Sequence, residues 1–222
     1  MKQELIRKEE NKIVDFLIKF FWIFMIGSFL GYIAETLVVI IEEGHYENRQ
    51  GLIYGPFVQI YGIGAIIYYM FVPKIKNKKF VFPICMVVGG ILEYMFSYIQ
   101  QVLFGTVSWD YSNYMFHLNG RTSLLHCIYW GLAGIFALKV MCPFIDKMNV
   151  KQINNKYFKV ITFVVFVFML CNILISWTAA NRQEERMKKI PAEGRLDRLL
   201  DKYYPDSIMD KVYVNKINKI KQ

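Results

Sequence analysis

Apolar residues gather along this chain in blocks of about 20, and the charged residues sit between the blocks. A helix needs about 20 mostly apolar residues to cross roughly 30 Å of hydrocarbon. The stretches 16–41, 52–72, 80–104, 124–145 and 160–180 meet that need. The pattern predicts an all-α fold, a polytopic transmembrane helical bundle of about five spans. Residues 1–15 read as a cytoplasmic N-terminal segment, 16–180 as the membrane domain and 181–222 as a polar, basic, amphipathic C-terminal tail. The first block is too long for the apolar core of a signal peptide, and no small-residue cleavage site follows it. It is expected to stay as a membrane anchor.

Charge sets the expected orientation. Lys2, Arg7, Lys8, Lys12 and Lys19 lie in or near the N-terminal segment. Lys74, Lys76, Lys78 and Lys79 follow the second block, and Lys147, Lys151, Lys156 and Lys159 follow the fourth. The loop after the first block holds only Arg49, and the loop after the third only Arg121. Basic loops stay on the cytoplasmic side, so a multi-pass protein of the cell membrane with a cytoplasmic N-terminus is expected. The tail pulls the other way. Five spans place it outside, yet it carries 11 Lys and Arg. An inverted protein or a re-entrant segment stays open. The candidate for re-entry is 52–72, where Gly55, Pro56, Gly62 and Gly64 would interrupt a helix.

Composition sharpens the class. The 222 residues are 55% hydrophobic and 17% aromatic, with mean hydropathy +0.27 and net charge +9. Together with the block pattern, this excludes a soluble enzyme, a disordered tail and a secreted disulfide scaffold. The positive charge is explained by basic loops beside anionic lipid. No nucleic-acid motif accompanies it, so no nucleic-acid partner is expected. Cys85, Cys127, Cys142 and Cys171 all lie inside apolar blocks and read as packing residues.

Two short patterns carry chemistry. The first block contains Gly31-Tyr-Ile-Ala-Glu35 and the third Gly89-Gly-Ile-Leu-Glu93. Residues i and i+4 share a helix face, and a small residue beside the acid admits a second backbone. After each glutamate comes a loop with an amide beside an arginine, Asn48-Arg49 in one and Asn119-Gly120-Arg121 in the other. The repetition predicts two parallel helix-loop-helix units. A carboxylate in lipid is costly and usually faces the protein interior or water. Arginine binds a carboxylate through two parallel hydrogen bonds. Glu35 and Glu93 are therefore expected to meet Arg49 and Arg121, as structural ion pairs or as a substrate-binding or proton-relay site. Asp110 could tie its loop to either arginine. Gln59 and Tyr61 could line a cavity where the second block is broken.

Other chemistries find little support. The sequence has no HxxxH or HExxH pair, no GxxxxGK[ST] phosphate loop and no GxSxG elbow. No metal, cofactor or catalytic nucleophile is expected. In the tail, Leu196, Leu199 and Leu200 form an apolar stripe before Pro205, and Asp206 can cap a second helix carrying Ile208, Met209, Val212 and Tyr213. Such segments suit a helix lying on anionic lipid, or a lid over the mouth formed by the loops.

Separated motifs in order give a family resemblance over roughly residues 16–215. They are Glu35, Asn48-Arg49-Gln50-Gly51-Leu52, Gly55-Pro56, Ile60-Tyr61-Gly62-Ile63-Gly64, Glu93-Tyr94, Trp109-Asp110-Tyr111-Ser112, Asn119-Gly120-Arg121 and Leu200-Asp201-Lys202-Tyr203-Tyr204-Pro205-Asp206. The chain resembles bacterial integral membrane proteins named Putative ABC-transporter type IV, also described as ABC transporter permeases. It departs from the pattern where Gln50 intervenes between Arg49 and Gly51, and where Gln59 stands in place of proline. The resemblance implies a permease-like transport component, a separate ATPase subunit and, at five spans per chain, a homodimer. Two other classes stay open on the residues alone. One is a membrane-embedded enzyme acting on lipid or a lipid-linked precursor. The other is a non-catalytic assembly or sensing partner.

Overall fold

The computed structural model describes residues 2–147 and 155–218. Lys151, Lys219 and Lys221, counted among the basic residues above, lie outside the described residues. The fold is all-α, a bundle of long helices with, among the described residues, four short strand segments confined to its loops and tail. Helix α1 (Lys2–Glu43) is followed by α2 (Gln59–Phe71), α3 (Val81–Phe104), α4 (Leu124–Lys147, with a π turn at Ala137–Met141) and α5 (Lys156–Met187). The tail adds α6 (Arg195–Tyr203) and α7 (Asp206–Val212).

Among the described residues, four segments are long and apolar enough to cross a membrane, at Ile13–Glu43, Lys78–Phe104, Leu124–Lys147 and Lys156–Met187. Large apolar side chains such as Val87, Val102, Phe163 and Leu174 stand exposed on them, as bilayer contact requires. The chain is a multi-pass membrane protein. The second of the five expected spans differs. Residues 51–58 are irregular, and α2 has only 13 residues, about 20 Å at 1.5 Å per residue.

That irregular stretch is held by protein, as backbone away from water must be. Gly55 takes a left-handed conformation (φ +85°) just before Pro56, where a side chain would be strained. Val58 N donates to Ser28 O on α1 (3.1 Å) and Gly51 N to Phe57 O (2.9 Å). From α5, Ser176 Oγ accepts from Ile53 N (2.9 Å), while Asn172 accepts from Tyr54 N (3.1 Å) and donates to Tyr54 O (2.6 Å). The two departures from the family pattern serve the same turn. Gln50 Nε2 donates to Ile53 O (3.2 Å) and Gln59 Nε2 to Gly51 O (3.1 Å).

The most extensive helix contacts are α1 with α2 and α3 with α4, the two hairpins the repeated pattern predicts. Their packing repeats as well. Gly31 of the first GxxxE motif lies against the Tyr61 ring of α2, and Gly89 of the second lies against the Trp130 ring of α4. A Cβ at either glycine would overlap its ring. Tyr61 and Trp130 then stack on each other, with centroids 5.2 Å apart, and join the hairpins in one core with Tyr68 and Cys85.

The tail folds over the end of the bundle that carries the loops after α1 and α3. Strand β1 (Thr106–Val107) pairs antiparallel with β4 (Ile217–Asn218), while β2 (His117–Leu118) pairs with β3 (Thr122–Ser123) inside the second loop. Tyr204 shares a 2.8 Å hydroxyl bond with Tyr54, and Asn215 donates to Ser108 O (2.9 Å).

Candidate functional site

Both membrane carboxylates point into the protein at the loop end of the hairpins. Glu93, one turn beyond Gly89, is buried. Its Oε2 accepts from Thr122 Oγ1 (2.7 Å) and its Oε1 from Tyr111 OH (3.2 Å). Thr122 reaches it because β3 leads directly into α4, whose N-cap is Ser123. Tyr111 reaches it from the second loop, and burial, reinforced by the Glu93 charge, holds its phenol well above the usual value. The phenol therefore remains the donor. Glu35, one turn beyond Gly31, lies within electrostatic reach of Glu93, Tyr61 and Tyr111. The two acids thus share one cluster with two phenols, across the seam where Tyr61 stacks on Trp130.

The arginines do not complete it in the expected way. Arg121 Nη1 donates to Ser97 Oγ (3.2 Å) and Nη2 to Gln101 Oε1 (2.5 Å), above the rings of Tyr94 and Tyr98. These neutral partners on α3 hold both of its terminal nitrogens, and the expected pairing of Arg121 with a membrane acid is not made. Arg49 acts on Glu35 through its field, but its ion pairs are with Glu47 (3.4 Å) and Glu43 (3.9 Å), which lie nearer in the chain. Among the described residues Glu35 makes no ion pair.

The remaining sequence candidates hold loops. Asn48 Oδ1 accepts from Gln50 N (3.2 Å) and Gln59 closes the turn onto Gly51. Asn119, in the left-handed region at φ 53°, donates to Tyr94 OH (3.0 Å). Asp110 Oδ1 accepts from Ser112 N (3.0 Å) and Oγ (2.5 Å) and lies tight against Gly120.

Several groups around the acids gave no sequence signal. Behind Tyr111 the His126 ring stacks at 3.5 Å, with its Nδ1 on Ser123 Oγ (2.8 Å). Tyr114 and Tyr129 both donate to Glu42, at 3.3 and 3.5 Å. Glu43, His45 and Glu47 bring ligand atoms within 4.8 Å of one another, but Arg49 already pairs with both acids. A second, ionic cluster ties down the tail. Arg182, almost fully buried, grips Asp201 through Nε (2.9 Å) and Nη2 (3.0 Å), and Arg186 bonds Asp201 (2.7 Å) and Asp206 (2.6 Å). Arg182, with Arg186 behind it, holds the Asp201 carboxyl down at about 2. At the opposite end of the bundle, Asp146 receives Lys19 (3.1 Å) and the Tyr69 hydroxyl (2.5 Å).

Comparison with known proteins gives one result: the family model described as Putative ABC-transporter type IV matches residues 22–177. No curated protein and no solved structure matches the chain.

Proposed function

The chain belongs to the Putative ABC-transporter type IV family, and we propose that it is a permease-like transport component whose path runs between the two hairpins past Glu35 and Glu93. The observation that carries this reading is the setting of Glu93. It is a buried membrane carboxylate whose hydrogen-bond partners are neutral groups, chiefly the hydroxyls of Thr122 and Tyr111, with the Trp130 indole also within reach. A guanidinium partner would lock such an acid in its charged form. Hydroxyl partners leave a proton or a passing cation to cancel the charge, which a relay or transport site needs. Glu35 stands across the seam as the second acid, within electrostatic reach of Glu93, Tyr61 and Tyr111. Arg49 and Arg121 position the loops.

In this reading the N-terminus and the basic loops face the cytoplasm of the cell membrane, and the loop end with its tail faces outwards. The tail is the lid of that mouth, rather than a helix lying on anionic lipid. A separate ATPase subunit would meet the cytoplasmic end, and a second copy of the chain would complete the path.

The test compares cells that lack the protein with cells restored by wild type, Glu35→Gln or Glu93→Gln, by mass-spectrometric profiling of cell contents and medium. Wild type should restore any solute displaced by the deletion, and both variants should fail while reaching the membrane at normal levels. Full restoration by both variants would remove the acids from the path.

A further inference from the structure

Helix α1 ends on Glu42-Glu43 with no basic residue in its last turn. The C-terminus of a helix carries the negative end of its dipole, so acids there are favourable only when a cation is near. Glu43 has such company in Arg49 (3.9 Å). Glu42, one residue earlier and exposed, receives phenols: Tyr114 from the second loop and Tyr129 from α4. Those phenols belong to a ring assembly. Tyr114 meets Tyr111 at 5.7 Å and 85°, His126 meets Tyr114 at 5.1 Å and 82°, and Tyr129 meets His126 at 5.7 Å and 79°. Tyr111 continues the line inward to Glu93. An exposed acid and a buried acid are therefore the two ends of one run of aromatic rings. Glu42 and Glu35 are seven residues apart on α1, two turns, and so share its face.

We propose that Glu42, Tyr114 and Tyr129 form the outer binding site for a monovalent organic ammonium ion, the substrate class that the path past Glu93 and Glu35 would carry. This rests on the transport reading above. Ring faces and a carboxylate together attract a weakly hydrated cation. A divalent metal would want several oxygen ligands, whereas here the phenols already donate to the one carboxylate. An anion is disfavoured at this spot by the Glu42 charge itself, with Glu43 next to it and no basic residue in the last turn of α1.

The experiment is calorimetric titration of the full chain in lipid nanodiscs with choline and with its uncharged isostere 3,3-dimethylbutanol. Choline should bind saturably and the alcohol should not. Glu42→Gln and Tyr114→Leu should each weaken choline about tenfold or more, whereas Tyr114→Phe, which keeps the ring, should stay close to wild type. Equal binding of the alcohol, no saturable binding of choline, or an unchanged Glu42→Gln would each overturn the site. No transport is needed for this readout. Absent binding with the Glu93→Gln profile still defective defeats the cation site alone. Intact binding with normal Glu35→Gln and Glu93→Gln profiles defeats the transport reading alone.

Discussion

In the tail, Asp201 receives two guanidinium groups; in the membrane, Glu93 receives a threonine and a tyrosine hydroxyl. The tail aspartate is fixed, since opposite charges in bidentate geometry favour the ionised form and one orientation. The membrane glutamate is surrounded as closely but by neutral groups, so its charge is not matched within its own bonds. Among the described residues, ion pairs hold the tail (Arg182 and Arg186 with Asp201), the loop after α1 (Arg49 with Glu47) and the opposite end of the bundle (Lys19 with Asp146). Glu93 is kept apart from such pairs, and the proposed path past the hairpin seam rests on that separation.

The contrast can be broken at several points. The largest effect is expected from Gly89→Leu, which drives a side chain into Trp130 and opens the seam. It should cost several kcal/mol and yield little monodisperse protein in size-exclusion chromatography. Arg182→Ala should cost about 3 kcal/mol, less than for a fully buried pair because Asp201 is partly exposed. Proteolysis should then cut between residues 188 and 216 much faster, with the membrane helices intact. Asn172→Leu removes both side-chain bonds to Tyr54 and should cost about 2 kcal/mol, read as a lower thermal midpoint. Arg121→Lys keeps the charge but loses the two-pronged bonding to Ser97 and Gln101. It should cost about 1 kcal/mol and leave the Glu93 site unaltered.

The tail should also respond to pH in a defined direction. Asp201 is held at about 2, below the roughly 3.9 of a free aspartate. Its contribution is complete above about pH 4 and disappears as pH falls through about 2. Protease resistance of the tail should therefore persist from neutral pH to about 4 and fail below. In Arg182→Ala the loss should begin at higher pH.

Much of the architecture was legible in the sequence. Apolar blocks placed every long helix, and the two GxxxE motifs marked where the hairpins touch. The second block was harder: Gly55 and Pro56 marked a break in its first half, but an apolar stretch does not reveal that regular helix begins only at Gln59 and runs through Gly62 and Gly64. Its anchors, Asn172 and Ser176, look like ordinary polar residues of a membrane helix until the segment they bind is seen beside them. The acids were legible as buried because carboxylates in apolar blocks must be. Their partners were not. Arginines near in sequence were the obvious mates, yet Ser97 and Gln101 lie one turn apart on α3 beneath Arg121 and capture it first. Tyr111 lies within one motif and Thr122 beside another, yet neither motif points to Glu93, since only the fold of the second loop brings them onto it. The tail network was hidden for a related reason. Arg182 reads as the polar end of a span until α6 folds back to place Asp201 against it.

The most direct test of the account is the proximity of the two acids. Cysteines replace Glu35 and Glu93 in a cysteine-free chain, and a short bifunctional thiol reagent is added in native membranes. Intramolecular cross-linking is predicted between positions 35 and 93 and not between 35 and Val87, which stands 62% exposed on α3. Cross-linking at 35 and 93 no greater than at 35 and 87 would contradict it.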